Sequence, residues 1–334
     1  MPTPEPNDIV VRLASARRAL DDVRREAAAG AASLLRPRTV AGLAVELAWV
    51  SAHLALYPLG LVREHEARAR GPFGRSFDGL TPVQRGLVAG DVEAAGTPIL
   101  LVHGMVDNRS IFTLLRRGLH RRGFGRVASM NYGPLVADVR EVASALALSV
   151  EALCAETGYE RVHLVGHSMG GLVARYYVQC LGGDERVHTL VTLGTPHGGT
   201  AHAHLVPHPL VRQLRPGSPL LRELAAPSTC RTRFVAIWSD VDQMVLPTRR
   251  ARLEHPDLAV RNVLVPGAGH MSLPIDRRVV HEVSTTLAYL DHNGSTLTAG
   301  VSRIDAAGQS TPADLAPSVI DSSRCVATRQ ESQR

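Results

Sequence analysis

Three residue types, spread over a hundred positions, have the chemistry of acyl transfer. The first is Ser168, flanked as Gly166-His167-Ser168-Met169-Gly170 at the point where the apolar run "RVHLVG" meets a helical pattern. A serine between glycines at a strand-to-helix corner is either a capped tight turn or a nucleophile lifted clear of a sheet edge. In the second case the amide of Met169, at the helix start, points at the reacting oxygen. A serine nucleophile needs a base. Of the 15 histidines, His270 in "VLVPGAGHMSLP" lies just past the last expected strand, where catalytic groups of open parallel sheets collect. His197 is the second candidate. The base needs an orienting carboxylate. "FVAIWSDVDQMVLP" offers Asp240 and Asp242, on opposite sides if that segment is extended, so that one of them faces the histidine. The loop after the first expected strand, "LLVHGMVDN", brings His103-Gly104 close and offers the amide of Met105 as a second oxyanion donor.

These residues must be held by a scaffold. Short apolar strands are expected at 98–102, 125–132, 161–166, 187–194, 233–238 and 259–265. Helices are expected at 108–122, 135–157, 169–182 and 276–291. Strands alternating with helices imply a mostly parallel sheet covered on both faces, an α/β architecture. Residues 96–292 form the expected catalytic domain, with 200–231 a Pro- and His-rich excursion read as a small cap. Residues 1–95 are an expected helical extension carrying the apolar run 40–62. Residues 293–334 are Ser- and Thr-rich without periodicity and are expected to be a disordered tail.

Composition narrows the class. The net charge of +6 comes entirely from arginine, and only 4% of residues are aromatic, which disfavours base-stacking nucleic-acid platforms, so no nucleic-acid partner is expected. The four cysteines, Cys154, Cys180, Cys230 and Cys325, make no CxxC pair, so neither a metal site nor a disulfide framework is expected. The first 35 residues do not read as a secretory signal, which suggests a cytoplasmic or membrane-associated protein. The run 40–62 is long enough to span a bilayer, but it carries Glu46, His53 and Pro58. A helix packed on the protein's own body is favoured over one lying on or crossing a membrane.

Taken together, "GHSMG", "LVHGMVDN", "LGTPHGGT" and "PGAGHMSLP" resemble the α/β-hydrolase superfamily, most closely its bacterial triacylglycerol lipases and related esterases. The resemblance covers about residues 97–291. "IWSDVDQMV" is similar to the small Bacillus-type lipases, which implies Asp242 rather than Asp240 as the carboxylate. It likewise implies Ser168 as nucleophile, His270 as base, and the amides of Met105 and Met169 as oxyanion donors, with no cofactor. The activity implied is hydrolysis of lipid or other carboxylic esters. A thioesterase or acyltransferase would use the same residues, and a membrane-associated binding protein with a vestigial triad is the alternative outside catalysis. Residues 1–95 have no counterpart in the small lipases.

Overall fold

The structure, a computed structural model, describes residues 46, 48–50, 96–105, 107–133, 136–288, 300–304 and 310–312. Its frame is one sheet with the strands β1 (Ile99–Val102), β2 (Val127–Met130), β3 (Val162–His167), β4 (Val187–Leu193), β5 (Arg233–Trp238), β6 (Val260–Leu264), β7 (Gly300–Ile304) and β8 (Ser310–Pro312). Their spatial order is β2-β1-β3-β4-β5-β6-β7-β8. The first seven pair in parallel, and β8 returns antiparallel to β7. β1 is buried at every residue, as a central strand covered on both faces must be.

Two cores follow from the period-2 alternation of the strands. Leu100 and Val102 face α2 (Val139–Thr157) and α3 (Met169–Cys180). Ile99 and Leu101 face α1 (Thr113–Arg121) and α6 (Arg277–Ala288). Both ends of α2 are set by local chemistry. The Asp138 side chain accepts from the Arg140 amide at 2.8 Å, and Gly158 takes the left-handed conformation (φ 75°) that ends the helix. The expected helix 108–122 starts instead as a 3-10 turn, Arg109–Phe112, capped by Asn108. The expected strand 125–132 pairs only over Val127–Met130.

The excursion 200–231 has structure of its own: a 3-10 turn at Ala201–His204, then α4 (Pro209–Arg212) and α5 (Pro219–Leu224), each helix led by proline at its first position. Leu210, Leu214, Leu220 and Leu224 anchor it in the α2/α3 core. Buried Arg175 of α3 ties it down further, donating to the Leu224 carbonyl at 2.7 Å and to Gln179 Oε1 at 2.6 Å.

Two short strands lie in the C-terminal segment. β7 and β8 fall within the segment 293–334, read from composition as a disordered tail. Strands this short carry too few residues for a period-2 signal. What forms β7 is the open edge of β6, whose backbone groups need partners whatever the side chains are. Of the extension 1–95, including most of the expected apolar helix 40–62, residues 1–45, 47 and 51–95 lie outside the described residues, which leaves helical residues Glu46 and Ala48–Val50. Of these, Trp49 is buried in the α1/α6 core. Among the described residues no helix is long and apolar enough to cross a membrane.

Arg175→Ala should remove the charged hydrogen bond from α3 to the Leu224 carbonyl of α5 and lower stability by roughly 1.5–3 kcal/mol. Urea denaturation would register this as a lower midpoint at constant slope. A wild-type midpoint would mean that the leucines alone hold the excursion.

Candidate active site

β3 runs into α3 with a single residue between them, and that residue is Ser168. Its backbone is at φ 54°, ψ −126°, and among the described residues it is the one non-glycine residue with positive φ. Such a conformation costs about 1–3 kcal/mol and persists only where the surroundings impose it. The surroundings do so here. The Ser168 amide donates to the Leu193 carbonyl at 2.9 Å, and Thr195 Oγ1 donates to the Ser168 carbonyl at 2.9 Å. The flanking glycines are a steric requirement. A Cβ on Gly166 would sit 2.5 Å from Gly171 Cα, and one on Gly170 would run into the carbonyls of Val102 and His103.

The carboxylate and the histidine come together at the same end of the sheet. His270 Nδ1 lies 2.8 Å from Asp242 Oδ2, with both side chains buried. The carboxylate can only accept, so Nδ1 carries the proton and Nε2 is left with a free lone pair. The other Asp242 oxygen accepts from the amides of Met244 (2.8 Å) and Val245 (3.0 Å). Burial works against the imidazolium, but it is outweighed by the Asp242 charge and hydrogen bond, with Glu46 and Asp107 adding to them. The pKa of His270 is therefore raised. Asp240 is exposed and accepts from the Gly267 amide at 2.8 Å. The two aspartates separate because residues 240–241 form a turn, not the extended segment expected, and Ser239 Oγ accepts from the Val241 amide at 3.2 Å within it.

The loop bearing His270 is held from several directions. Ser239 Oγ donates to the Ala268 carbonyl at 2.6 Å. His167 Nε2 donates to the His270 carbonyl at 3.1 Å, and the two rings are 5.0 Å apart. His167 thus turns away from its neighbour Ser168 and towards His270.

The segment after β1 lies against the serine. A Cβ on Gly104 would come 3.0 Å from Ser168 Cβ and 3.5 Å from Oγ. Met105 follows it, half-buried against the α2/α3 core, and Met169 is buried at the first position of α3. His103 braces this segment. Its Nδ1 donates to the Gly104 carbonyl at 2.8 Å, its Nε2 accepts from the Tyr132 amide at 3.3 Å, and its ring stacks on Tyr132 at 4.2 Å. The Tyr132 hydroxyl donates to the His103 carbonyl at 2.6 Å, and burial with the Asp107 charge pushes its pKa up, keeping it a neutral donor.

The other histidines have different places. His197 is buried with Nε2 2.9 Å from Thr192 Oγ1, and burial lowers its pKa. His208 caps α4, its Nδ1 accepting from the Leu210 amide at 3.2 Å. Sequence reasoning missed His167, Tyr132, Asp107 and Glu46 as neighbours of the site. Only His167 and Asp107, adjacent to the motifs, carried a signal that could have drawn attention to them.

The chain is similar to several known hydrolases. The family model described as palmitoyl protein thioesterase matches residues 98–238. A triacylglycerol lipase of Burkholderia plantarii is 30% identical over 128 residues, 36% of this chain and 35% of that one. A triacylglycerol lipase of Pseudarthrobacter phenanthrenivorans is 40% identical over 57 residues, 17% of each. The chain thus spans about a third of the first relative's length and less of the second's. Among solved structures, Aspergillus fumigatus lipase B superposes with a TM-score of 0.53 at 16% identity, over 70% of this chain and 59% of that one. A Bacillus licheniformis lipase in its propeptide form superposes at 0.50 and 20% identity, over 62% and 53%. The fold is that of these lipase structures, and the local sequence similarity is to triacylglycerol lipases and to the palmitoyl protein thioesterase family model.

Proposed function

We propose that the protein is a serine hydrolase of carboxylic esters, with Ser168 as nucleophile, His270 as base and Asp242 as orienting carboxylate. The observation that carries this reading is the forced backbone of Ser168 at the same sheet edge as a buried histidine–carboxylate pair with its Nε2 free. Oγ attacks the ester carbonyl as Nε2 takes its proton. The amides of Met105 and Met169 receive the oxyanion, a contribution of about 10²–10³ in rate for each such donor. The imidazolium, stabilised by Asp242, then protonates the leaving alcohol. Water repeats the sequence on the acyl-enzyme and regenerates Ser168.

A lipid-like or fatty-acyl substrate is favoured by the apolar surface beside the Asp242 loop. Leu205, Val206 and Met244 are exposed, and His202 Nδ1 lies 3.4 Å from the Met244 carbonyl, so excursion and loop adjoin. The excursion is the proposed cap over the acyl chain. Acyl-thioester hydrolysis is the second reading, favoured by the description of the family model that matches 98–238.

Ser168→Ala should abolish hydrolysis of p-nitrophenyl esters of two to sixteen carbons and labelling by a fluorophosphonate probe, with thermal stability near that of wild type, because alanine keeps the same strained backbone. Equal turnover in both proteins would remove Ser168 as nucleophile. A palmitoyl thioester assayed beside the palmitate ester separates the two substrate readings by their kcat/KM ratio.

The pH dependence has a definite sign. The base must be neutral to act, so kcat/KM should rise with pH through the raised pKa of His270, above the ordinary imidazole value of about 6.5. Asp242→Asn keeps an acceptor for the Met244 and Val245 amides, but it presents a donor to Nδ1 and favours the wrong tautomer. A fall in kcat of about 10⁴ is expected, and the residual activity should have its acid limb at lower pH. An unmoved limb would assign the titration to another group.

A further inference from the structure

We propose that Glu46 is a positioning residue for the base: its carboxylate clamps the turn that follows His270 and fixes the aim of the imidazole. This rests on the reading of His270 as the base. Glu46 Oε1 accepts from the Met271 amide and Oε2 from the Ser272 amide, each at 2.7 Å, across more than 220 residues of sequence. Each oxygen takes one of two consecutive amides, directly after the base. Such charge-assisted bonds are short and strong compared with neutral ones. They also satisfy N–H groups at the start of the 3-10 turn Leu273–Ile275, where a helical segment leaves its first donors free.

A second observation is independent of those bonds. Gly269, the residue before His270, leaves the space the carboxylate occupies. A Cβ there would overlap Glu46 Oε2 and come 2.9 Å from its Cγ. The glycine of "GAGHM" is therefore cut to fit Glu46. A third is the anchor. Trp49, one helical turn beyond Glu46, is buried in the α1/α6 core and fixes the segment from which the carboxylate reaches. In the sequence Glu46 is a misplaced charge in an apolar run; here it completes a site whose other members all lie beyond residue 95.

The groups facing His270 come from four places: Asp242 after β5, Asp107 after β1, His167 at the end of β3, and Glu46. Two of the three carboxylates belong to the body of the domain, so Glu46 can be varied without removing the main partner of the imidazole. A residue that merely fastened the extension would hold residues 271–272 without affecting titration or turnover.

The test uses full-length Glu46→Gln, Glu46→Asp and Gly269→Ala. Three measurements are made on each: amide hydrogen exchange at Met271 and Ser272, the His270 pKa by NMR titration of its imidazole, and kcat and KM on the best p-nitrophenyl ester. Glu46→Gln keeps size but loses charge and one acceptor. Exchange should quicken at least tenfold, the His270 pKa should fall, and kcat should drop about tenfold with KM little changed. Glu46→Asp keeps the charge but is too short for both amides, so exchange should quicken while the pKa stays closer to wild type. Gly269→Ala should reproduce the faster exchange with Glu46 intact. Exchange at β-sheet amides reports separately that each variant is folded. Wild-type exchange and titration in Glu46→Gln would overturn the proposal, as would faster exchange with pKa and kcat unmoved. If wild type turned over no ester or thioester, the hydrolase reading would fail, while exchange and titration would still decide the clamp.

Discussion

The buried pair Asp242–His270 sets the terms for everything around it. A carboxylate and an imidazole taken out of water lose hydration worth several kcal/mol, and the arrangement survives only if the carboxylate oxygens and the Nδ1 proton find partners. Asp242 meets that condition with three hydrogen bonds, one to the imidazole and two from backbone amides of its own loop. The imidazole is thereby committed to one tautomer. Neither residue lies in a strand or helix, so the sheet alone cannot position them. For His270 the precision comes from side chains that grip its loop: Ser239 and Asp240 from the end of β5, His167 from the end of β3, and Glu46 from far upstream.

The serine is held by the opposite strategy. Its position is a backbone property, imposed by the close approach of the β3–α3 corner to β1 and by hydrogen bonds to β4 and Thr195. Rigid neighbours allow the positive φ of Ser168 to persist without local compensation. Ser168 is thus fixed by packing and His270 by a polar network. Substitutions at the two should differ in kind. At the elbow glycines, added bulk displaces backbone and costs stability. In the loop grip, a lost hydrogen bond leaves the fold standing and costs aim.

The segment after β1 draws on both strategies. Gly104 allows the approach to Ser168, and His103 then locks the segment by stacking on Tyr132, by accepting from the Tyr132 amide at Nε2 and by donating from Nδ1 to the Gly104 carbonyl. A protonated His103 would lose its acceptor for the Tyr132 amide. The neutral ring is therefore part of the architecture of the site.

The sequence by itself determined the alternation of elements, because buried parallel strands are continuous apolar runs and the helices have caps that can be read, such as Asp138 and Gly158. It also determined the elbow, because only glycines fit the contacts at Gly166 and Gly170 and such contacts leave a fixed spacing. It could not determine which side chains grip the loop of His270. Glu46 is more than 220 residues away in sequence, in an apolar run where its carboxylate looked like an obstacle, and nothing local marks Gly269 as the space made for it. Nor could composition reveal β7, whose pairing is supplied by the open edge of β6 and not by its own residues. Periodicity and steric exclusion are local and are written in the chain. Hydrogen bonds between distant segments exist only once the sheet has brought their ends together, and the tertiary structure alone decided them.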